Sequence, residues 1–291
     1  MYILRSMDKS DGQENKESTE QGPSKCLDNP KQTAPGTGSE AGSTSKHAPE
    51  PTVASKVETM NPLVPKAEAV AKTKGPFKFT PELDEKFKEY PSLGPYKYAD
   101  DATYEGQYKD GKRHGRGKQT WSDGSSYEGY WENDVRSLKG RLITPEGDSY
   151  KGDWKDNQKS GNGKLRMVAD GSTYKGEFLE NEFHGKGALI FDDERNYNGE
   201  WKKGLMHGKG EFNWADGRKF IGEYQDDRKH GYGEFFWPDK KIYKGPWLNG
   251  KQEGEGLLTN VKGIERKGLW KNGNRESWLD GPEDPEEPKM A

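Results

Sequence analysis

The sequence has little of the aliphatic material that builds a conventional core. Of 291 residues only 28% are hydrophobic, 33% are charged and 38 are glycine. So small an apolar fraction does not suffice for two packed layers in a chain of this length. All nine tryptophans lie at or after Trp121, inside the periodic part of the chain, so any core must be aromatic and must belong to the repeat.

The chain also lacks signals for export, membrane insertion or lipid attachment. One cysteine, Cys26, excludes a disulfide framework and is typical of a reducing compartment. No run of 18 apolar residues predicts a membrane-spanning helix, and the apolar residues at positions 2–4 are too few for a secretory signal. We therefore expect a cytoplasmic location.

A basic excess is missing as well. Residues 76–275 hold 36 basic and 34 acidic residues, a net charge of +2. Domains that bind nucleic acid carry a clear surplus of Lys and Arg. We therefore expect no nucleic-acid partner.

What the sequence does contain is a period of 23 residues. Its opening phrase is aromatic-x-Gly-x-aromatic, as in Tyr104 to Tyr108, and a Gly-x-Gly pair follows about a dozen residues later. The phrase begins at Tyr104, Tyr127, Tyr150, Tyr174, Tyr197, Phe220 and Tyr243, and once more, without the first ring, at Arg266. A period this regular indicates a tandem array of one supersecondary unit.

Each unit has the pattern of a β-hairpin. Alternation places Tyr197, Gly199 and Trp201 on one strand face, and Lys203-Gly204 follows as a turn. A second short strand then leads to a second turn at Asp216-Gly217. Glycine normally weakens strands, so its recurrence predicts that neighbouring rings lie flat on the bare backbone.

The motif resembles the MORN (membrane occupation and recognition nexus) repeat. Tyr197–Trp201, His207–Gly210 and Trp214–Gly217 match it almost position for position, and the likeness covers about residues 94–273. The closing units are similar to those of protist and ciliary members. The resemblance implies an all-β fold, namely an elongated, single-layer, twisted antiparallel sheet of tandem hairpins. The structural rings of the repeat are predicted to be Tyr104, Tyr127, Trp131, Tyr150, Trp154, Tyr174, Tyr197, Trp201, Trp214, Tyr243 and Trp247.

Composition sets the boundaries. Residues 1–75, rich in Ser, Thr, Gly, Pro, Lys and Glu, are predicted to form a disordered tail. Residues 76–93 form a short helix and cap, and 94–273 form the array, a half unit followed by about seven fuller ones, the last decayed. Residues 274–291 are expected to be an acidic disordered tail.

The predicted helix has a clear start signal. Thr80 suits the N-cap and Pro81 the first helical position. Leu83, Phe87 and Tyr90 fall on one face, and Pro91 is expected to stop the helix. We expect this helix to cover the open first edge of the array, because terminal units need caps. A helix that binds a partner is the alternative.

Catalytic and metal chemistry are not predicted. His114, His184, His207 and His230 occupy one repeat position, so neighbours should lie about 10 Å apart, too far to share a metal ion. Carboxylates fall on outer faces or turns, where nothing tunes them as acids or bases. We expect a non-enzyme without cofactor or metal.

Two functions remain. The first is a protein-interaction scaffold, in an axonemal, basal-body or other cytoskeletal assembly as the resemblance to ciliary members implies. Its binding surface and partner are unidentified, and a homodimer through the array ends is a further partner hypothesis. The second is a peripheral membrane adaptor, because the family is often proposed to bind anionic phospholipids and phosphoinositides. The near-neutral array permits only weak lipid contact, through basic spots such as Lys112–His114 and Lys202-Lys203.

Overall fold

The computed structural model describes residues 64–282, which form two helices and one antiparallel sheet of 18 strands. The helices are α1 (Val64–Lys74) and α2 (Pro81–Phe87). The strands are β1 (Ser92–Lys97), β2 (Thr103–Lys109), β3 (Lys112–Thr120), β4 (Ser126–Glu132), β5 (Val135–Ile143), β6 (Ser149–Lys155), β7 (Gln158–Met167), β8 (Ser172–Leu179), β9 (Glu182–Phe191), β10 (Asn196–Lys202), β11 (Leu205–Asn213), β12 (Lys219–Gln225), β13 (Arg228–Phe236), β14 (Ile242–Leu248), β15 (Lys251–Gln252), β16 (Gly254–Thr259), β17 (Glu265–Lys271) and β18 (Asn274–Trp278). Strands pair in chain order from β1–β2 to β17–β18, with β15 and β16 both on β14. This confirms the predicted meander of hairpins.

Each unit is closed by two turns whose residues suit them. In the hairpin β10–β11, Lys203 and Gly204 both have positive φ, 52° and 79°, as a tight type I′ turn requires. In the link to β12, the Asp216 side chain accepts a hydrogen bond from the Arg218 amide at 3.0 Å. Local turn chemistry therefore fixes the path of the chain within and between units.

A β-bulge recurs inside the hairpins. Gly199 pairs with Gly210, but the next pair is Glu200 with His207, so Gly208 and Lys209 are extra residues on β11. Gly208 has φ of 63°, a left-handed conformation that glycine adopts without steric cost. The His-Gly element of the repeat therefore marks the bulge.

The N-terminal part differs from the prediction in two respects. Two helices are present rather than one, and α1 falls within residues 1–75, which were predicted to be disordered. Its Ala-rich sequence favours helix, and Ala67 is buried with 1% exposure. Helix α2 begins after Thr80 with Pro81 at its first turn, as predicted, but ends at Phe87, before Pro91.

The position predicted for α2 is wrong. It packs on the face of the sheet at β2–β4 and not over the first edge, where residues Ser92–Lys97 are all exposed. The sheet face offers α2 buried ring contacts and hydrogen-bond partners.

At the C-terminal end, β18 corrects the prediction that residues 274–291 form a disordered tail. The Asn272-Gly273 turn returns the chain, and Trp278 packs at 9% exposure beneath the guanidinium of Arg275, 4.1 Å from the ring centroid. Residues 1–63 and 283–291, the remainder of the two predicted tails, lie outside the described residues.

Candidate docking groove

The repeat rings form one continuous row on a single face of the sheet, the ring face. The ring that opens a unit makes two edge-to-face contacts. One is with the ring four residues later in its own unit, and the other is with the ring at that same position in the next unit. Tyr197 lies 5.0 Å from Trp201 and 5.3 Å from Tyr224 between centroids. The row consists of Tyr104, Tyr108, Tyr127, Trp131, Tyr150, Trp154, Tyr174, Phe178, Tyr197, Trp201, Phe220, Tyr224, Tyr243, Trp247 and Trp270. Trp214, which the sequence groups with these rings, lies beside the row: it packs on Phe212 at 4.4 Å and is connected to Trp247 through Phe235.

Most polar atoms of the ring row are bonded to the sheet itself. The Tyr197 hydroxyl donates to the carbonyl of Glu200 at 3.0 Å, at the bulge. The Trp201 indole donates to the carbonyl of Gly187 at 3.0 Å. Burial raises the pKa of Tyr197 above its ordinary value. Such residues supply both packing and a partner for a backbone carbonyl, whereas Trp131 Nε1 and the Tyr224 hydroxyl are buried without a partner.

A second column of side chains covers the rings. It occupies the second residue of the second strand in each unit: Arg113, Arg136, Lys159, Phe183, Met206, Lys229, Gln252 and Arg275. The Lys229 ammonium lies 4.5 Å from the centroid of Trp247 and is 6% exposed, while Phe183 stacks on Tyr174 at 3.8 Å. Burial lowers the pKa of Lys159. Cation–π contacts of this kind seal the ring face with the chain's own side chains.

The opposite face of the sheet is the polar face. Along its middle it shows the backbone of the repeat glycines, whose missing side chains would point to the ring face. Each repeat glycine pairs with the next across the strands, from Gly106↔Gly117 to Gly233↔Gly245. A Cβ on Gly210 would fall within 2.6 Å of the Tyr197 ring, so the missing side chains make room for the ring face. On the polar face the glycines present bare backbone, with a row of longer side chains on either side. This arrangement forms a groove that crosses the strands.

The chain's own N-terminal segment occupies the first part of this groove. The Gln107 amide donates to the carbonyls of Phe87 and Tyr90 at 2.8 and 3.0 Å. Tyr130 donates to Asp84 at 2.7 Å and accepts from the Thr80 amide at 2.9 Å. Burial raises the Tyr130 pKa to about 12.

Gln107 and Tyr130 occupy a repeat position that carries an acid in the four middle units. Those acids are Asp153, Glu177, Glu200 and Glu223, and the last two units have Pro246 and Leu269 there. The acids lie against the glycine of their own bulge. Gln107 and Tyr130 are the non-acidic residues beneath α2, and sequence reasoning missed this signal for its docking.

Beyond this segment the groove is open, with a volume of about 640 Å³. Phe77 and Thr80 lie at its N-terminal end, and Gly163 and Gly176 form part of its floor. Six lysines line it: Lys78, Lys139, Lys151, Lys164, Lys175 and Lys186. No acidic residue is among the residues that line this groove.

The predicted basic spot at Lys112–His114 is not an open cationic surface. Arg113 lies 4.3 Å from the Trp131 centroid and pairs with Asp134 at 2.9 Å. His114 is buried beneath α2, 4.7 Å from the ring of Tyr90, and burial lowers its pKa. Lys202 and Lys203 are exposed.

The described histidines take structural positions. The Nδ1 atom of His207 lies 3.4 Å from the carboxylate of Asp226. Within residues 64–282 no group of three or more His, Cys, Asp or Glu side chains is placed to hold a metal ion. In the same range no helix is long and apolar enough to cross a membrane.

These features define a class, namely a hairpin-repeat protein with a single sheet. One face of the sheet is buried under its own aromatic and cationic side chains, and the other face is largely exposed. Comparison with protein families identifies the repeat. MORN repeats match at residues 104–126, 127–149, 150–168, 174–194, 197–217, 220–241 and 243–264. The chain belongs to the MORN repeat family, a non-enzymatic repeat fold.

Other comparisons are less informative. The comparison with curated proteins gives no match. Among solved structures, the TCP domain of Drosophila melanogaster SAS-4 (dCPAP), in complex with a proline-rich motif of Ana2 (dSTIL), has 10% identity, with 67% of this chain and 95% of that chain covered and a TM-score of 0.35. The TCP10 domain of Danio rerio CPAP has 10% identity and a TM-score of 0.36, with 64% of this chain and 88% of that chain covered. TM-scores this low carry no functional argument.

Proposed function

We propose that this protein is a non-catalytic scaffold that binds other proteins through the polar face of its sheet. The observation that carries the proposal is the contrast between the two faces. The ring face is closed by its own cations and rings, whereas the groove of the polar face is open beyond residues 76–90. Repeat arrays generally offer such continuous surfaces to partners.

The chain's own segment supports a protein partner. Residues 76–90, which include helix α2, lie in the groove and are held by the buried ring of Phe87 and by hydrogen bonds from Gln107 and Tyr130. A partner peptide can use the same kinds of contact in the open part. The concrete form of the proposal is a cytoplasmic scaffold in a cytoskeletal or ciliary assembly.

The test is affinity purification from the native cell, with localisation, over a salt series. We expect a defined set of proteins to be retained at moderate salt, because burial of aromatic and apolar surface is not screened. Absence of any retained protein at all salt concentrations would overturn the proposal.

A membrane adaptor is the second candidate, and the lysines of the groove favour it. Attraction of Lys to an anionic leaflet is worth about 1 kcal/mol per residue and is screened by salt. Vesicles containing phosphatidylserine or phosphoinositides should therefore be released at lower salt than the protein partners. Vesicle binding that resists salt, with no protein retained, would reverse this order.

Self-association is a further partner prediction. The two ends of the array are strands β1 and β18, and the residues of β1 are exposed along its whole length. Such edges offer unpaired backbone groups to another copy. Sedimentation over a concentration series would show a homodimer, and a constant monomer mass would exclude it.

A further inference from the structure

Four cations stand directly opposite one another across neighbouring strands of the polar face. Arg141 pairs with Lys151, Lys151 with Lys164, and Lys164 with Lys175. Like charges in directly opposed positions destabilise a sheet. The same row elsewhere mixes acids and cations, as Glu105↔Lys118 shows. The cluster therefore carries a cost that a bound anion would relieve.

The protein itself neutralises only one end of this cluster. Arg141 is 2.7 Å from Glu128 and donates to the carbonyl of Gly75, also at 2.7 Å. None of the ion pairs found within residues 64–282 includes Lys151, Lys164 or Lys175. The last two lysines are exposed.

The acids that border the groove are already engaged. Asp153 pairs with Lys139 and accepts a hydrogen bond from the Asn162 amide at 2.9 Å. Glu177 accepts one from the Lys186 amide at 2.9 Å. The repulsion is also felt at Lys74, where burial first and then Lys164 lower the pKa. Glu177 keeps its negative charge, because the amide that it accepts from is neutral. Six lysines line the groove and these two acids border it, so the groove still has an excess of positive charge.

The shape of the groove suits an extended chain. It runs from Lys139 on β5 to Asn198 on β10. Five strand spacings of about 4.8 Å give a length of about 24 Å, enough for about seven extended residues. Its floor of glycine backbone offers no bulk to exclude a peptide, and clefts lined by one sign of charge concentrate the opposite charge.

From these observations, and resting on the proposed function, we infer that the groove bounded by Lys151, Lys164, Lys175 and Lys186 binds an extended segment rich in Asp and Glu on a partner protein. The acidic side chains of that segment pair with the lysine row. Its backbone lies over the glycine floor, in line with the chain's own residues 76–80.

The experiment measures binding of a fluorescein-labelled peptide of alternating Glu and Ala to the full chain, by anisotropy at physiological ionic strength. The reversal variant is Lys164→Glu with Lys175→Glu, and a neutral variant carries Gln at both positions. The matched control, Lys202→Glu with Lys203→Glu, changes the net charge equally at exposed residues outside the groove.

We expect the reversal variant to bind the Glu peptide at least about tenfold more weakly, the neutral variant to be intermediate and the control to match the unmodified chain. A peptide with Gln in place of Glu should not bind. The neutral variant should melt no lower than the unmodified chain, because it removes like-charge repulsion. Its melting curve thus separates lost binding from lost folding.

Any of the following binding results would overturn the inference: equal affinity in the reversal variant and the unmodified chain, equal weakening in the control, or no binding of the Glu peptide while phosphoinositide vesicles bind and are lost in the reversal variant. The last result would assign the groove to lipid headgroups. Retention of the native protein set by the reversal variant would refute this groove but leave the scaffold function intact. Absence of any protein set with the unmodified chain would refute the scaffold itself.

Discussion

At the scale of single residues, Asp227 occupies a position that suits a neutral side chain better. Its carboxylate accepts the amide of Met206 at 2.8 Å, which links two units. Burial, with a smaller contribution from Asp226, raises its pKa from 3.8 to about 6. In earlier units the same bond is made by Asn157 and Asn181. The repeat thus contains its own neutral alternative.

Asp227→Asn should therefore stabilise the protein at neutral pH. Between the unfolded pKa near 3.8 and the folded pKa of about 6, the folded state binds more protons, so stability falls as pH rises. The loss of folding stability caused by the charged Asp227 is therefore full above about pH 6 and absent below about pH 3.8. Because the site is partly solvated, we expect a gain of about 1 kcal/mol at pH 7 and none near pH 3. Urea unfolding at both pH values measures the gain, and an equal effect at both would contradict the assignment.

Seven units open with an aromatic ring, and Phe220 is the one opening ring that is not a tyrosine and has no hydroxyl group. The same bulge follows it, between Gly222 and Glu223. Phe220→Tyr should add a hydrogen bond to the Glu223 carbonyl and stabilise by about 1 kcal/mol, while Tyr197→Phe should cost about the same. Thermal denaturation of the two variants and the parent checks this pair. Changes of the same sign would show that the hydroxyl does not serve the bulge.

At the scale of the strand, the glycine row is the element least tolerant of change. On Gly210 a Cβ would lie within 2.6 Å of Tyr197 Cζ, whereas on Gly204 it would meet nothing within 4 Å. We expect Gly210→Ala to cost about 3 kcal/mol by overpacking the ring and Gly204→Ala about 1 kcal/mol from its positive φ. Equal costs in chemical denaturation would mean that the ring moves freely away.

The elements that repeat could be read from the sequence, whereas those that occur once were either missed or predicted without their packing site. The period and turn residues predicted the hairpins because every unit repeats the same signal. Helix α1 was missed because its composition resembles a polar tail, although Ala67 is buried. Strand β18 was missed because Trp278 stands alone after a decayed unit. The helix α2 was predicted, but its site depends on Gln107 and Tyr130, which are visible only as exceptions to the repeat.

The charged groove could not be predicted from the sequence, because net charge was summed over the whole array. A net charge of +2 over residues 76–275 counts both faces and all units together. The structure separates Arg113, whose guanidinium lies on a ring, from Lys164 and Lys175 on the open face. Only strand register shows which cations stand side by side.

At the scale of the whole array, stability should depend on the number of flanking units. Trp154 contacts Tyr127 and Tyr150, each at 5.2 Å, and Trp201 has equivalent neighbours. Either change to Ala should cost about 3–5 kcal/mol. Trp270→Ala should cost less, because Arg266 replaces the opening ring of its unit. Guanidinium denaturation of the three variants tests this, and three equal losses would contradict a nearest-neighbour array.

The pairing of strands in strict chain order also determines how the sheet bears load. A tension applied between residues 92 and 278 is transmitted through every strand pair in series, since no strand bridges distant units among the pairs described. Neighbouring units are also joined by an edge-to-face contact of the ring row, as between Tyr127 and Trp154 and between Tyr197 and Tyr224. We therefore expect such a sheet to yield hairpin by hairpin under tension and to behave as an extensible spring rather than as a rigid strut.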